Sequence, residues 1–362
     1  SSTTLNATGT WTQRGADIDG EAVGDSSGGQ LNSNGTGMTI SSDGNTIVVG
    51  ASYNNGNGPN SGHVRVYDWN GSSWVQRGSD IDGESAGDYS GHAVALSDNT
   101  NTMVIGAIRN SDSAQDAGHA RVFDWNGSAW IQRGSDIDGD SSHNNFGSSV
   151  TISSDGNSLA VGSDLVNASG GGMSGHVKIY FWNGSSWVQR GSDIDGEGTG
   201  DRSGYSISMS ANGNRIAIGA WMADGNGGNS GEVKVYSWNG TAWVQQGSDI
   251  DGEAAGDISG SSVSLSNGGN ILAIGAPSNG TSGHARVFDW NGSAWIQRGS
   301  DIDGEAAGDL SGQSISLSSD GNILVIGAPR NDGNGSNSGH ARVYAWNGTA
   351  WVQQGSDIDG EA

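Results

Sequence analysis

The sequence predicts an all-β fold, a β-propeller of four-stranded antiparallel blades. Three observations lead there. A unit of about 56 residues recurs along the chain, and such self-similarity marks a repeat architecture. Each unit offers four short β-favouring segments separated by turn chemistry. One sheet of this kind would expose two apolar faces, so stacking face to face around an axis is the economical solution. A long solenoid would need polar caps at both ends, and the last unit shows none.

The elements follow in order. Ser314 to Ser318 alternates small polar with branched apolar residues, the period of a strand. Asp320-Gly321-Asn322 then supplies a tight turn, because Asp and Gly tolerate left-handed backbone. Ile323 to Ile326 is continuously apolar, as expected for a strand covered on both faces. After a loop rich in Gly, Asn and Asp, Arg342 to Trp346 and Trp351 to Gln354 flank Asn347-Gly348, a strong hairpin signal. These are the first to fourth strands of a unit.

Complete sets begin near Gly37, Gly91, Gly147, Gly204, Gly260 and Gly312, which predicts six blades. The W-x-Q-[RQ]-G fourth strand occurs once more, beginning at Trp11, Trp74, Trp130, Trp187, Trp243, Trp295 and Trp351. The expectation is therefore six blades with one extra terminal strand, a seven-bladed ring being the alternative. Residues 1–10 read as an N-terminal extension or linker and 11–362 as a single propeller domain. Closure by the N-terminal strand would leave the C-terminal one, poorly defended as an edge, available for self-assembly.

Composition limits the function classes. A net charge of -24 repels a polyanion, so nucleic acid is excluded as a partner. With no cysteine there are no disulfides or thiolate metal sites. No apolar run approaches the roughly 20 residues that span a bilayer, so membrane insertion is not expected. Glycine at 65 residues would suggest disorder, but 14 tryptophans and regular Val, Ile and Leu argue for a folded chain.

Gly275-Ala276-Pro277 and Gly327-Ala328-Pro329 end second strands, and Phe146-Gly147 opens a first strand. With these motifs recurring in register after residue 10, the chain resembles the FG-GAP repeats of integrin alpha-chain propellers and their bacterial and algal relatives. The resemblance implies an extracellular propeller of adhesion or matrix assembly, usually seven-bladed. The family's calcium sequence lies between the first and second strands, where this chain has only the D-G-N turn.

Acids are patterned instead after each fourth strand, in D-I-D-G elements. The sets are Asp17, Asp19, Glu21, Asp25; Asp80, Asp82, Glu84, Asp88; Asp136, Asp138, Asp140; Asp193, Asp195, Glu197, Asp201; Asp249, Asp251, Glu253, Asp257; and Asp301, Asp303, Glu305, Asp309. Carboxylates at positions 1, 3, 5 and 9 of a glycine-containing loop could converge on a hard cation, so calcium is the expected cofactor. The alternative is turn formation, with the remaining carboxylates bonded to backbone N–H groups or arginines.

Other residue types recur too. Arg65, Arg121, Lys178, Lys234, Arg286 and Arg342 fall on third strands, where pairing with acids between blades is expected. Histidines 63, 119, 176, 284 and 340 open third strands and suggest a structural hydrogen bond. Paired tryptophans such as Trp69 and Trp74 could cover blade rims or stack on sugars. Asn70, Asn126, Asn183, Asn239, Asn291 and Asn347 sit in N-G-[ST] sequons, candidate glycosylation sites that the turn alone also explains.

These readings converge on a non-catalytic extracellular structural or adhesion module with an acidic, calcium-binding face, in a larger surface, matrix or filament assembly. The alternative is a multivalent carbohydrate-binding lectin. Partners are expected to be proteins or glycans at the cell surface. No enzyme is expected, because repetition makes any one copy dispensable.

Overall fold

The computed structural model describes residues 9–29 and 37–361, and it is a six-bladed β-propeller without helices. It divides into two compact units, one of residues 14–214 and 238–243, the other of residues 1–13, 215–237 and 244–362. Each blade is a sheet of four antiparallel strands with a fifth, two-residue strand added.

Blade two shows the plan. Ser90–Leu96, Thr102–Ala107, His119–Trp125 and Trp130–Gln132 form its meander. Ile137–Asp138 then returns to the start of the third strand, with Ile137 opposite Ala120 and Asp138 opposite His119. The D-I-D-G element is thus partly strand, which adds a strand per blade to those read from the sequence. Strand alternation explains it: the isoleucine turns into the core while the aspartates on either side face away. Ile81, Ile137, Ile194, Ile250 and Ile302 are all buried.

The core lies between neighbouring blades. In residues 14–214, Val48, Val64, Val66 and Ile81 of one blade pack with Val94, Met103, Ile105 and Phe123 of the next. In the other unit Ala273, Ala285, Val287 and Ile302 meet Leu324, Ile326 and Tyr344. Burial of each large side chain is worth about 1.5–3 kcal/mol. The repeat motifs have a structural origin here: a Cβ on Gly106 would collide with the carbonyl oxygen of Gly147, whose φ is 94°. Only glycine lets these two backbones approach.

The turns use the residues expected of them. Asp43 accepts hydrogen bonds from the Ser41 hydroxyl at 2.6 Å and the Asn45 N–H at 2.9 Å, which hold its carboxyl down to about 2. Asn126 Oδ1 accepts from the Ser128 and Ala129 N–H groups, each at 2.9 Å, so the sequon asparagine also shapes its turn.

The terminal segments differ from the expected arrangement. The C-terminal strand Trp351–Gln353 pairs with His340–Trp346 of its own blade and is not left over. Trp11 instead donates its indole N–H to the Gln354 carbonyl at 3.1 Å. Hairpin formation across Asn347-Gly348 is local, which favours pairing of that strand with its immediate neighbour in sequence.

Candidate functional site

The four carboxylates of each acidic element do not converge. The position-one aspartates accept from a fourth-strand glutamine, as Gln76 Nε2 to Asp80 and Gln132 Nε2 to Asp136, both at 2.6 Å; Asp193, Asp249 and Asp301 do the same. At position three the backbone carbonyls of Asp19, Asp82, Asp251 and Asp303 accept from Arg65, Arg121, Arg286 and Arg342, each at 2.7 Å. Asp195 accepts from the Ser169 hydroxyl. Position-nine acids Asp25, Asp88, Asp201, Asp257 and Asp309 cap their own loops, as Asp88 does by accepting the Ser85 N–H at 2.8 Å.

The position-five glutamates reach the third strand of the following blade. Glu84 places Oε1 3.6 Å from Arg121 and Oε2 3.8 Å from His119 Nδ1. Glu21, Glu253 and Glu305 repeat this toward His63, His284 and His340. Four of the resulting groups draw acids from different loops, whereas Asp193 and Asp195 of one element join His176 of their own blade. Acidic groups able to hold a metal ion are Glu21, His63, Asp80; Glu84, Asp112, His119, Asp136; His176, Asp193, Asp195; Glu253, His284, Asp301; and Glu305, His340, Asp357. Donor atoms in each lie within 4.8 Å of one another. Glu197 falls outside these groups.

Three of the five histidines do not make the expected hydrogen bond. His119, His284 and His340 are buried with both ring nitrogens lacking a hydrogen-bond partner, since the facing glutamate stands too far away. Burial, helped by Arg121, pushes His119 down to about 4, so its imidazole is neutral.

Asp112 was missed in the sequence. It lies in a variable loop, outside the repeated acidic elements, and gives its group a fourth donor. Crowding has electrostatic consequences: burial raises the Glu84 carboxyl, Arg121 opposes this, and Asp136 and Asp112 raise it further. Burial also raises Asp138, with Asp136 and Asp112 adding to the shift.

Three shallow clefts open in the unit of residues 14–214. The largest, about 460 Å³, is lined by Asp68, Trp69, Arg77 and Trp125 among others. Another, about 350 Å³, is lined by Ser135, Asp136, Asp138, Tyr180 and Trp187. A third, about 210 Å³, has Asp17, Asp19, Tyr67 and Trp74. The cleft at Asp136 alone of these shares a residue with a histidine–carboxylate group. Its Trp187 is fixed by donating to the Arg133 carbonyl at 2.9 Å, and Arg133 lies over Trp182 at 4.7 Å. The paired tryptophans are thus bound into the blade rims, with ring centroids 5.3 Å apart at Trp182 and Trp187.

The FG-GAP repeat model matches residues 80–123 and 302–344. The chain carries FG-GAP repeats. The first matched segment contains Glu84, Asp112 and His119, so the four-donor group is built largely within one such repeat. No curated protein matches the sequence. Solved structures share the fold: a protein provisionally described as a 6-phosphogluconolactonase from Bacteroides uniformis has a TM-score of 0.62 at 11% identity, over 90% of this chain and 85% of its own. The periplasmic gluconolactonase of Pseudomonas aeruginosa gives 0.59 at 14% identity over 90% and 85%. A protein provisionally described as a 6-phosphogluconolactonase from Bacteroides fragilis gives 0.58 at 10% over 90% and 84%.

These neighbours correct the expectation of a non-catalytic adhesion module or lectin, and with it the expectation that no enzyme is present, because these three proteins of the same fold are described as lactonases. At such identities the likeness is one of fold. The repeat copies look interchangeable in the sequence, whereas Asp112 makes one of them different.

Proposed function

We propose that this propeller is a hydrolase of sugar lactones acting in the cleft at Asp136. The single observation that carries the reading is the sharing of Asp136 between an aromatic-lined cleft and the four-donor group of Glu84, Asp112, His119 and Asp136. The description of the structural neighbours supplies the substrate class. Tyr180 and Trp187 offer faces for a pyranose ring.

In this reading the Asp136 carboxylate takes a proton from water as the water oxygen bonds to the lactone carbonyl carbon. The bond from that carbon to the ring oxygen then breaks. Asp138, whose raised carboxyl retains its proton to higher pH, delivers it to the departing oxygen. Tyr180, its phenol kept protonated by burial, can donate to the carbonyl oxygen.

The acidic groups add a cation to this reading. Calcium is what the oxygen donors alone would select; the histidine in each group alters that selection. A working place outside the cytoplasm is part of the proposal, favoured by the FG-GAP repeats and by the periplasmic description of one neighbour.

The test is acid release from glucono-δ-lactone, followed by pH-stat against the spontaneous rate. The reading expects catalysis that D136N reduces at least 100-fold. Hydrolysis no faster than background, with and without added divalent cations, overturns it.

A further inference from the structure

The six third strands carry a natural comparison. In the third blade the Lys178 ammonium bonds Asp140 and stands 3.6 Å from Asp193. In the fourth, Lys234 Nζ lies 3.0 Å from Glu232 and 3.8 Å from Asp249. Each of these groups holds a compact positive charge among its carboxylates.

The other four blades have arginine at this place, and its guanidinium is anchored on a backbone carbonyl of the acidic element while one nitrogen stays in ion-pair range of the glutamate. Arg121 Nη2 donates to the Asp82 carbonyl at 2.7 Å, and Nη1 stays 3.6 Å from Glu84. Arg65, Arg286 and Arg342 behave alike, with Nη1 at 3.8, 3.9 and 3.6 Å from their glutamates. In these blades a glutamate oxygen, an aspartate and a buried imidazole face one another with no ammonium among them. His119 is 1% exposed, and neither ring nitrogen has a hydrogen-bond partner. A buried polar atom left so is costly, and a ligand removes the cost.

We propose that the arginine-bearing blades bind divalent zinc-class cations, with the tightest site at Glu84, Asp112, His119 and Asp136. Neutral imidazole with carboxylates suits zinc, whereas calcium prefers oxygen donors alone. Donors on a tetrahedral zinc at about 2.0–2.2 Å stand roughly 3.4 Å apart, so donors now within 4.8 Å need only modest side-chain closure. Arg121 holds one Glu84 oxygen and leaves the other toward His119. In the lysine blades the ammonium already takes the cation's place.

The inference shares Asp136 with the proposed hydrolase site but is separable from it: zinc binding without hydrolysis would keep it and sink that reading. The experiment is equilibrium dialysis of the metal-free full chain against zinc chloride and, separately, calcium chloride, with bound metal counted by mass spectrometry. Zinc should be retained and should raise the melting temperature. H119Q should lose the tightest equivalent. D112N, at an exposed residue, should weaken that equivalent at least tenfold. H176Q, in a lysine blade, should leave the zinc count unchanged. No retained zinc, equal retention by H119Q and D112N, or a loss in H176Q matching that in H119Q overturns the proposal.

Discussion

The α-carbon of Gly106 lies against the carbonyl oxygen of Gly147, leaving no room for a methyl group between them. Gly275 stands in the same relation to Gly312 in the other unit. Gly50, Gly106, Gly162 and Gly275, which recur near the ends of second strands, are therefore points where one blade's backbone rests on the next.

Gly106→Ala should destabilise the protein by about 1–3 kcal/mol, the usual cost of overpacking a tight contact. Gly228→Ala, where an added Cβ meets nothing within 4 Å, should be near neutral. Chemical denaturation of the two variants beside the parent checks this, and equal midpoints would contradict it.

Arg133→Lys addresses the blade rims. The guanidinium donates to the Gly156 carbonyl at 3.0 Å and to Asn157 Oδ1 at 2.6 Å while lying over Trp182. An ammonium cannot form this fork and stack together, so a loss of about 1 kcal/mol or more is expected. Thermal melting followed by tryptophan fluorescence should show a lower midpoint.

Much of this framework was legible in the sequence. The strand spacing, the D-G-N and Asn-Gly turns and the recurrence of Gly-Ala were local signals, and local signals survive without a partner. The Ile81-Asp82 strand was not legible, because two residues carry no period and its register opposite Val64 and His63 is set by tertiary pairing. Nor was the grouping of Glu84 with His119, since the acids looked like loop neighbours while their partners came from the next blade. Asp112 stood in a variable loop that no repeat argument could single out.

The pH dependence of stability follows from His119. Its folded value of about 4 lies below the ordinary value of 6.5, burial being the main cause and Arg121 the next. Below pH 6.5 the unfolded chain binds a proton that the folded chain refuses, so this group's contribution to stability falls between pH 6.5 and 4 and levels off below. Metal-free H119Q should lose that part of the slope. Parallel profiles for parent and variant over this window would contradict the assignment.

Catalysis, if Asp138 delivers the proton, should weaken as pH rises through its raised value, because the acid form is lost there. Asp138→Asn should remove this alkaline limb and lower kcat about 100-fold with a smaller change in KM. A pH–rate profile of the two proteins decides it; an unchanged limb in the variant assigns the proton to another group.

Whether Glu84, Asp112, His119 and Asp136 hold one zinc ion together can be seen by diffraction. Anomalous diffraction from crystals grown with zinc tests it most directly. A peak is expected among those four side chains, with none beside Lys178 or Lys234. A zinc-loaded crystal showing no density at His119, or equal density in the lysine blades, would contradict it.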